Sequence, residues 1–179
     1  MVMGNNCSIL LPNGADVDIL DAALGGSITF GTNGTFTMGT DSDFDMQGNQ
    51  SLTMGDGAVF TVGADTAALP DGMYINMPAT ATMSFGANST VTLANRESRL
   101  TENVVLGDGS TMSVQWDSTN GNMNGGVTLG SGGAATTLTI INTVHDSNVG
   151  VLSGATGNLV KDGVGTLTLT TDLDLNPAD

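Results

Sequence analysis

Residues 27–63 read SITFGTNGTFTMGTDSDFDMQGNQSLTMGDGAVFTVG, and this stretch decides the fold. Its apolar residues come in pairs, Ile28/Phe30, Phe36/Met38, Phe44/Met46, Leu52/Met54 and Phe60/Val62, each starting eight residues after the last. The residue inside each pair is polar: Thr29, Thr37, Asp45, Thr53 and Thr61. Gly31, Gly39, Gly55 and Gly63 follow four of the pairs, and Gln47-Gly48 follows the third. An apolar-polar-apolar triplet puts two side chains on one face of a strand and one on the other. Glycine then permits a bend where a side chain would collide. Threonine favours extended backbone through its β-branch. Each unit is therefore a short strand and a corner. Apolar residues do not recur at three and four, and Gly and Thr are poor helix formers, which argues against helix here.

Looser copies follow: Met83-Ser84-Phe85-Gly86, Val91-Thr92-Leu93-Ala94, Val104-Val105-Leu106-Gly107, Met112-Ser113-Val114, Val127-Thr128-Leu129-Gly130, Leu138-Thr139-Ile140 and Leu167-Thr168-Leu169. Loop excursions near residues 64–82, with Tyr74, and 115–126, with Trp116, interrupt the series. A train of short strands suits an antiparallel sandwich or a solenoid. Equal spacing favours the solenoid, since hairpins have no need of it. Three units per turn give a coil of about 24 residues, with Phe30 over Met54 and Phe36 over Phe60. The expected fold is all-β, a right-handed parallel β-helix with about three short strands per coil. Residues 1–24 read as an N-terminal cap or irregular first coil, with Asp18–Leu24 as a helical cap or part of that coil, and residues 25–179 as the solenoid.

Composition bounds the function. The 179 residues hold 3 Lys and Arg against 18 Asp and Glu, a net charge of −15. No basic surface is available to neutralise phosphates, which excludes a generic nucleic-acid binder and argues against an anionic membrane surface. A mean hydropathy of +0.11 is too apolar for a disordered acidic tail, and no apolar run is long enough to span a bilayer. Aromatic residues, at 4%, leave no large aromatic core. The lone Cys7 forms no internal disulfide. Met1-Val2-Met3 opens no secretion signal, so the chain either stays inside or is part of something longer.

Chemistry-bearing residues are sparse. His145 is the one histidine, distant in sequence from Cys7, which disfavours a nucleophilic triad and excludes structural zinc. Glu97 and Glu102, the only glutamates, flank Arg99 beside Arg96. They could serve a glycosidase pair, or simply balance charge in a loop. Asp41, Asp43 and Asp45 alternate and form a weak calcium candidate, although the EF-hand pattern is absent. Tyr74, Arg96, Arg99 and Trp116 are the candidate interaction residues. The methionines of the repeat read as adaptable core filling. The pairs Ser27/Thr29, Thr35/Thr37, Ser51/Thr53, Thr90/Thr92, Thr137/Thr139 and Thr166/Thr168 flank inward apolar residues, a pattern that resembles ice-binding β-solenoids. A flat ice face needs one such pair per coil on a single side. The pairs recur on successive sides, as generic outward residues do.

The segment Gly157-Asn158-Leu159-Val160-Lys161-Asp162-Gly163-Val164-Gly165-Thr166-Leu167-Thr168-Leu169 resembles the passenger-associated transport repeat of bacterial autotransporters. Gly157, Leu159, Lys161, Gly163, Gly165, Thr166, Leu167 and Leu169 carry the likeness. After them the chain departs from the family, with Thr170-Thr171-Asp172. The resemblance implies a right-handed β-helix displayed outside the cell, with this repeat assisting passenger folding and export and performing no chemistry.

The expected function is a non-enzymatic extracellular stalk or adhesin segment of an autotransporter-like surface protein. Its expected partners are a protein or glycan of a host or neighbouring cell, with no nucleic acid and no membrane insertion by this segment. No cofactor beyond weak calcium is expected. The alternatives are a polysaccharide-degrading or tail-spike-like β-helix enzyme and an ice-binding solenoid. A β-helix leaves a bare strand edge at each end. The expectation is therefore that the parent continues beyond Asp179 or that the C-terminal coil associates end to end with another copy.

Overall fold

The computed structural model describes residues 1–19, 26–46, 48–64, 75–77, 80–94, 99–100, 103–115, 123–142, 146–169 and 173–174. They form strands only: β1 (Ser8–Leu11), β2 (Asp16–Ile19), β3 (Ser27–Phe30), β4 (Thr35–Met38), β5 (Asp43–Met46), β6 (Ser51–Met54), β7 (Val59–Val62), β8 (Ile75–Met77), β9 (Thr82–Phe85) and β10 (Thr90–Leu93). They continue as β11 (Arg99–Leu100), β12 (Val104–Leu106), β13 (Thr111–Gln115), β14 (Met123–Leu129), β15 (Thr136–Ile141), β16 (Ser147–Ser153), β17 (Gly157–Asp162), β18 (Leu167–Leu169) and β19 (Leu173–Asp174).

Every pairing is parallel, and the strands sort into three sheets around one core. Sheet A runs β3-β6-β9-β12-β14-β16-β18, with β19 also on β16. Sheet B runs β1-β4-β7-β10-β13-β15-β17, and sheet C runs β2-β5-β8-β11. The chain is thus a parallel β-solenoid. Successive eight-residue units fall on successive sides, and the register is the expected one: Phe30 lies beside Met54 and Phe36 beside Phe60. The N-terminal residues belong to the stack, since β1 pairs with β4, β2 with β5, and Val2 bridges to Thr29. Of the stretch Asp18–Leu24, Asp18 and Ile19 are strand, and residues 20–24 lie outside the described residues.

The inward positions form the core. Phe36, Met38, Phe44, Met46, Leu52, Met54, Phe60 and Val62 are all buried, and so are Val91, Leu93, Met112, Val114, Leu138 and Ile140 in later coils. Aromatic content is low, yet all five phenylalanines meet. Phe36 stacks on Phe60 at 5.4 Å, Phe44 meets both edge-on, and Phe30 and Phe85 extend the cluster. These are the favoured offset and edge-to-face arrangements. A small aromatic core concentrates where sheets A, B and C meet over successive coils.

The corners explain the glycines. A Cβ on Gly55 would sit 2.8 Å from the carbonyl carbon of Gly31, and one on Gly63 would sit 2.5 Å from the carbonyl oxygen of Gly39. Successive backbones approach too closely at these bends for any side chain. Between sheets A and B the turn residues Asn6, Asn33, Gly57, Asn88 and Gly109 all have φ between 55° and 72°. Asparagine and glycine tolerate that left-handed conformation best. The residue before each turn can tie one coil to the next: Asn5 Oδ1 accepts from the Thr32 amide (3.0 Å), and Asp56 Oδ1 from the Ala87 amide (2.9 Å).

Candidate functional site

Parallel in-register stacking turns each outward strand position into a column. On sheet B the first column reads Ser8, Thr35, Val59, Thr90, Thr111, Thr137, Asn158, and the second Leu10, Thr37, Thr61, Thr92, Ser113, Thr139, Val160. From β4 to β15 these two columns hold ten side chains, eight threonines, one serine and one valine, with no charge, and Gln115 of β13 and Ile141 of β15 pair outward beyond them. All ten reach solvent, and Val59 is 37% exposed. The register through these five strands has no shift. The hydroxyl pairs do recur on successive sides: Ser27/Thr29 and Ser51/Thr53 stand on sheet A, and Thr35/Thr37, Thr90/Thr92 and Thr137/Thr139 on sheet B. Coil closure in addition stacks the threonine pairs of β4, β10 and β15 in line with Val59/Thr61 of β7 and Thr111/Ser113 of β13.

Sheet A is less regular. Its second outward column is Thr29, Thr53, Ser84, Val105, Thr128, Ser153. The register between β14 and β16 shifts between Met123 and Gly126, and the hydroxyls of Thr128 and Ser153 are 3.4 Å apart. Sheet C is acidic at its first two levels: Asp16 pairs with Asp43 and Asp18 with Asp45, and Asp45 is followed along the column by Asn76 and Arg99.

Asp43 and Asp45 of the calcium candidate therefore stand on the outward side of β5, while Asp41 sits at the preceding corner with φ 54°. Among the described residues no three His, Cys, Asp or Glu side chains are grouped as a metal site. Tyr74, Arg96, Glu97, Glu102, Trp116 and His145 lie outside the described residues. Arg99 is placed only as a register position in β11.

The transport-repeat segment is a coil of the solenoid. Gly157 pairs with Thr136, Leu159 with Leu138, and Lys161 with Ile140; Leu167 pairs with Ser147 and Leu169 with Val149. Leu159 and Leu167 pack against the core. Leu169, the second apolar residue of its strand unit, is 39% exposed, since among the described residues no strand stacks beyond β18 at this position. Gly163 (φ 84°) and Gly165 make the corner. The Lys161 ammonium donates to the Gly163 carbonyl, the Gly165 amide to the Asn142 carbonyl (3.0 Å), and the Thr166 amide to Asp146 Oδ1 (2.7 Å).

Asp108 is a residue the sequence reading passed over. Its carboxylate accepts from the Ser131 amide (2.5 Å) and the Ser131 hydroxyl (3.0 Å). The Ser131 amide bond holds its pKa below the ordinary carboxylate value against an opposing desolvation, and the Ser131 hydroxyl and the Gly133 and Gly132 amides help. The available signal was the recurring Gly-x-Asn/Gly corner, of which Gly107-Asp108-Gly109 is one copy.

These features define the class of protein: a parallel β-solenoid with one neutral hydroxyl-bearing face and one acidic side. Comparison with protein-family models, curated proteins and solved structures found no match.

Proposed function

We propose that this chain is a non-enzymatic β-solenoid segment of an exported surface protein of the autotransporter type, acting as a stalk and interaction surface. The observation that carries this reading is the placement of the motif Gly157–Leu169. Its residues stack in register on β15 and β16 and contribute Leu159 and Leu167 to the common core. A segment that resembles an export-assisting repeat is thus built into the body whose folding it would assist. Each coil templates the next, because every strand offers a complete row of backbone donors and acceptors to its neighbour. Its partners are proteins or glycans of a host or neighbouring cell, met on the outward faces.

The test is surface export. Placed ahead of an outer-membrane translocator, the chain is expected to reach the surface and be cleaved by protease added to intact cells. The double variant Leu159→Asp/Leu167→Asp is expected to stay protected inside. Retention of the unaltered chain, or equal export of the double variant, would count against the reading. Polysaccharide turnover that disappears in Glu97→Gln or Glu102→Gln would replace the stalk with an enzyme.

A further inference from the structure

We propose that the outward face of sheet B, from β4 to β15, binds ice. The inference goes beyond the stalk reading and stands on a different part of the molecule.

The two columns carry no charge, although the chain holds 18 acidic residues, and their ten side chains include no aromatic ring. A small soluble ligand would gain little there, because the exposed hydroxyls already hydrogen-bond to water and each methyl group offers only a small apolar area. What the face offers is repetition in two directions. Adjacent strands lie about 4.8 Å apart, and alternate residues along a strand about 6.6–6.8 Å apart. A ligand that is periodic with both spacings meets many of these groups at once. Oxygen atoms on a prism plane of hexagonal ice repeat at nearly these two distances.

The side-chain chemistry fits that occupant. A threonine hydroxyl can take the place of a lattice water, while its methyl group excludes disordered solvent. The β-branch restricts χ1, so little rotamer freedom is left to lose on adsorption. The continuous register keeps the rows aligned over five levels, whereas sheet A is broken by its register shift and by Gly126. The acids of sheet C lie on another side of the coil. Crystalline polysaccharide is the other periodic surface of this size. It is favoured by flat aromatic platforms, which these positions lack.

The experiment measures ice-crystal shaping and the gap between freezing and melting points for the full chain. The unaltered protein is expected to facet ice crystals and open a gap. Thr92→Lys, at the centre of sheet B, is expected to lose most of it, while Thr53→Lys on sheet A keeps it. Val59→Thr, which completes the first column, is expected to widen it. Circular dichroism establishes that each variant is folded, and Thr139→Lys replaces Thr92→Lys if the latter is not. Absence of shaping by the unaltered chain, equal losses in Thr92→Lys and Thr53→Lys, or retention on crystalline cellulose or chitin without partition into ice would each overturn the proposal.

Discussion

Sheets B and C share a core and a repeat unit, but one stacks threonine on threonine and the other aspartate on aspartate. Phe36 and Phe60 of sheet B touch Phe44 of sheet C directly. Outside, Thr37 stands beside Thr61, while Asp18 stands beside Asp45. In a parallel in-register stack, each outward residue meets its equivalent about 4.8 Å away, so the chemistry of one strand is multiplied by its neighbours. Neutral rungs add favourable side-chain pairs; like charges opposite one another oppose pairing. The inner faces of the two sheets are therefore interchangeable in kind, and the outer faces are not.

The largest effect is expected from breaking what the sheets share. Phe60→Ala should lower stability by about 3–5 kcal/mol in urea unfolding. Hydrogen exchange should speed up in β5 as well as β7. Faster exchange confined to sheet B would show that the two sheets do not depend on one core.

The corner between them comes next. Gly63→Ala places a methyl group against the Gly39 carbonyl, and a loss of about 1–3 kcal/mol is expected, as for overpacking. Gly4→Ala, with nothing within 4 Å of the added carbon, is the matched control and should be near neutral. Equal melting temperatures for the two variants would mean that the coils can separate at the corner without loss.

The outer faces are separated by charge. Asp18→Thr makes one rung of sheet C resemble sheet B and should raise stability by about 0.2–1 kcal/mol. It should also flatten the rise of Tm with salt that a net charge of −15 implies. Calcium that raises Tm beyond sodium chloride of equal ionic strength, an effect lost in Asp43→Asn/Asp45→Asn, would give the acidic side a specific cation role. Identical salt curves for the original chain and Asp18→Thr would remove the charge contrast.

The smallest effect concerns a single acid that supports sheet B from its corner. Asp108 has a folded-state pKa below its unfolded value, so its contribution is present near neutral pH. It fades as pH falls below about 4 and through the folded value. Asp108→Asn should therefore be less stable than the original chain at neutral pH and indistinguishable from it in acid. A difference that persists at low pH would trace the effect to lost hydrogen-bond geometry rather than to charge.

Much of this was legible in the chain itself. The eight-residue spacing over 27–63 specified three sides and the neighbours Phe30–Met54 and Phe36–Phe60. Alternation identified the inward residues, because a period of two leaves only one face apolar. The likeness at 157–169 located a late coil. The candidate site was less visible. Thr35 pairs with Val59 after 24 residues, but Val59 pairs with Thr90 after 31 and Thr90 with Thr111 after 21. Unequal coils hide the recurrence of threonine on one side from any fixed period. The exposure of Leu169 was equally hidden, since it depends on what stacks beyond β18.

The sequence by itself determined the strand-and-corner unit, the inward side chains and the glycine bends, because each follows from the local geometry of a few neighbouring residues. Only the tertiary structure decided which outward residues became neighbours. It gathered neutral hydroxyls on sheet B and carboxylates on sheet C, because a column is made by coil closure between residues 21 to 31 positions apart. Backbone hydrogen bonds between coils set that register, whatever side chains happen to face outward.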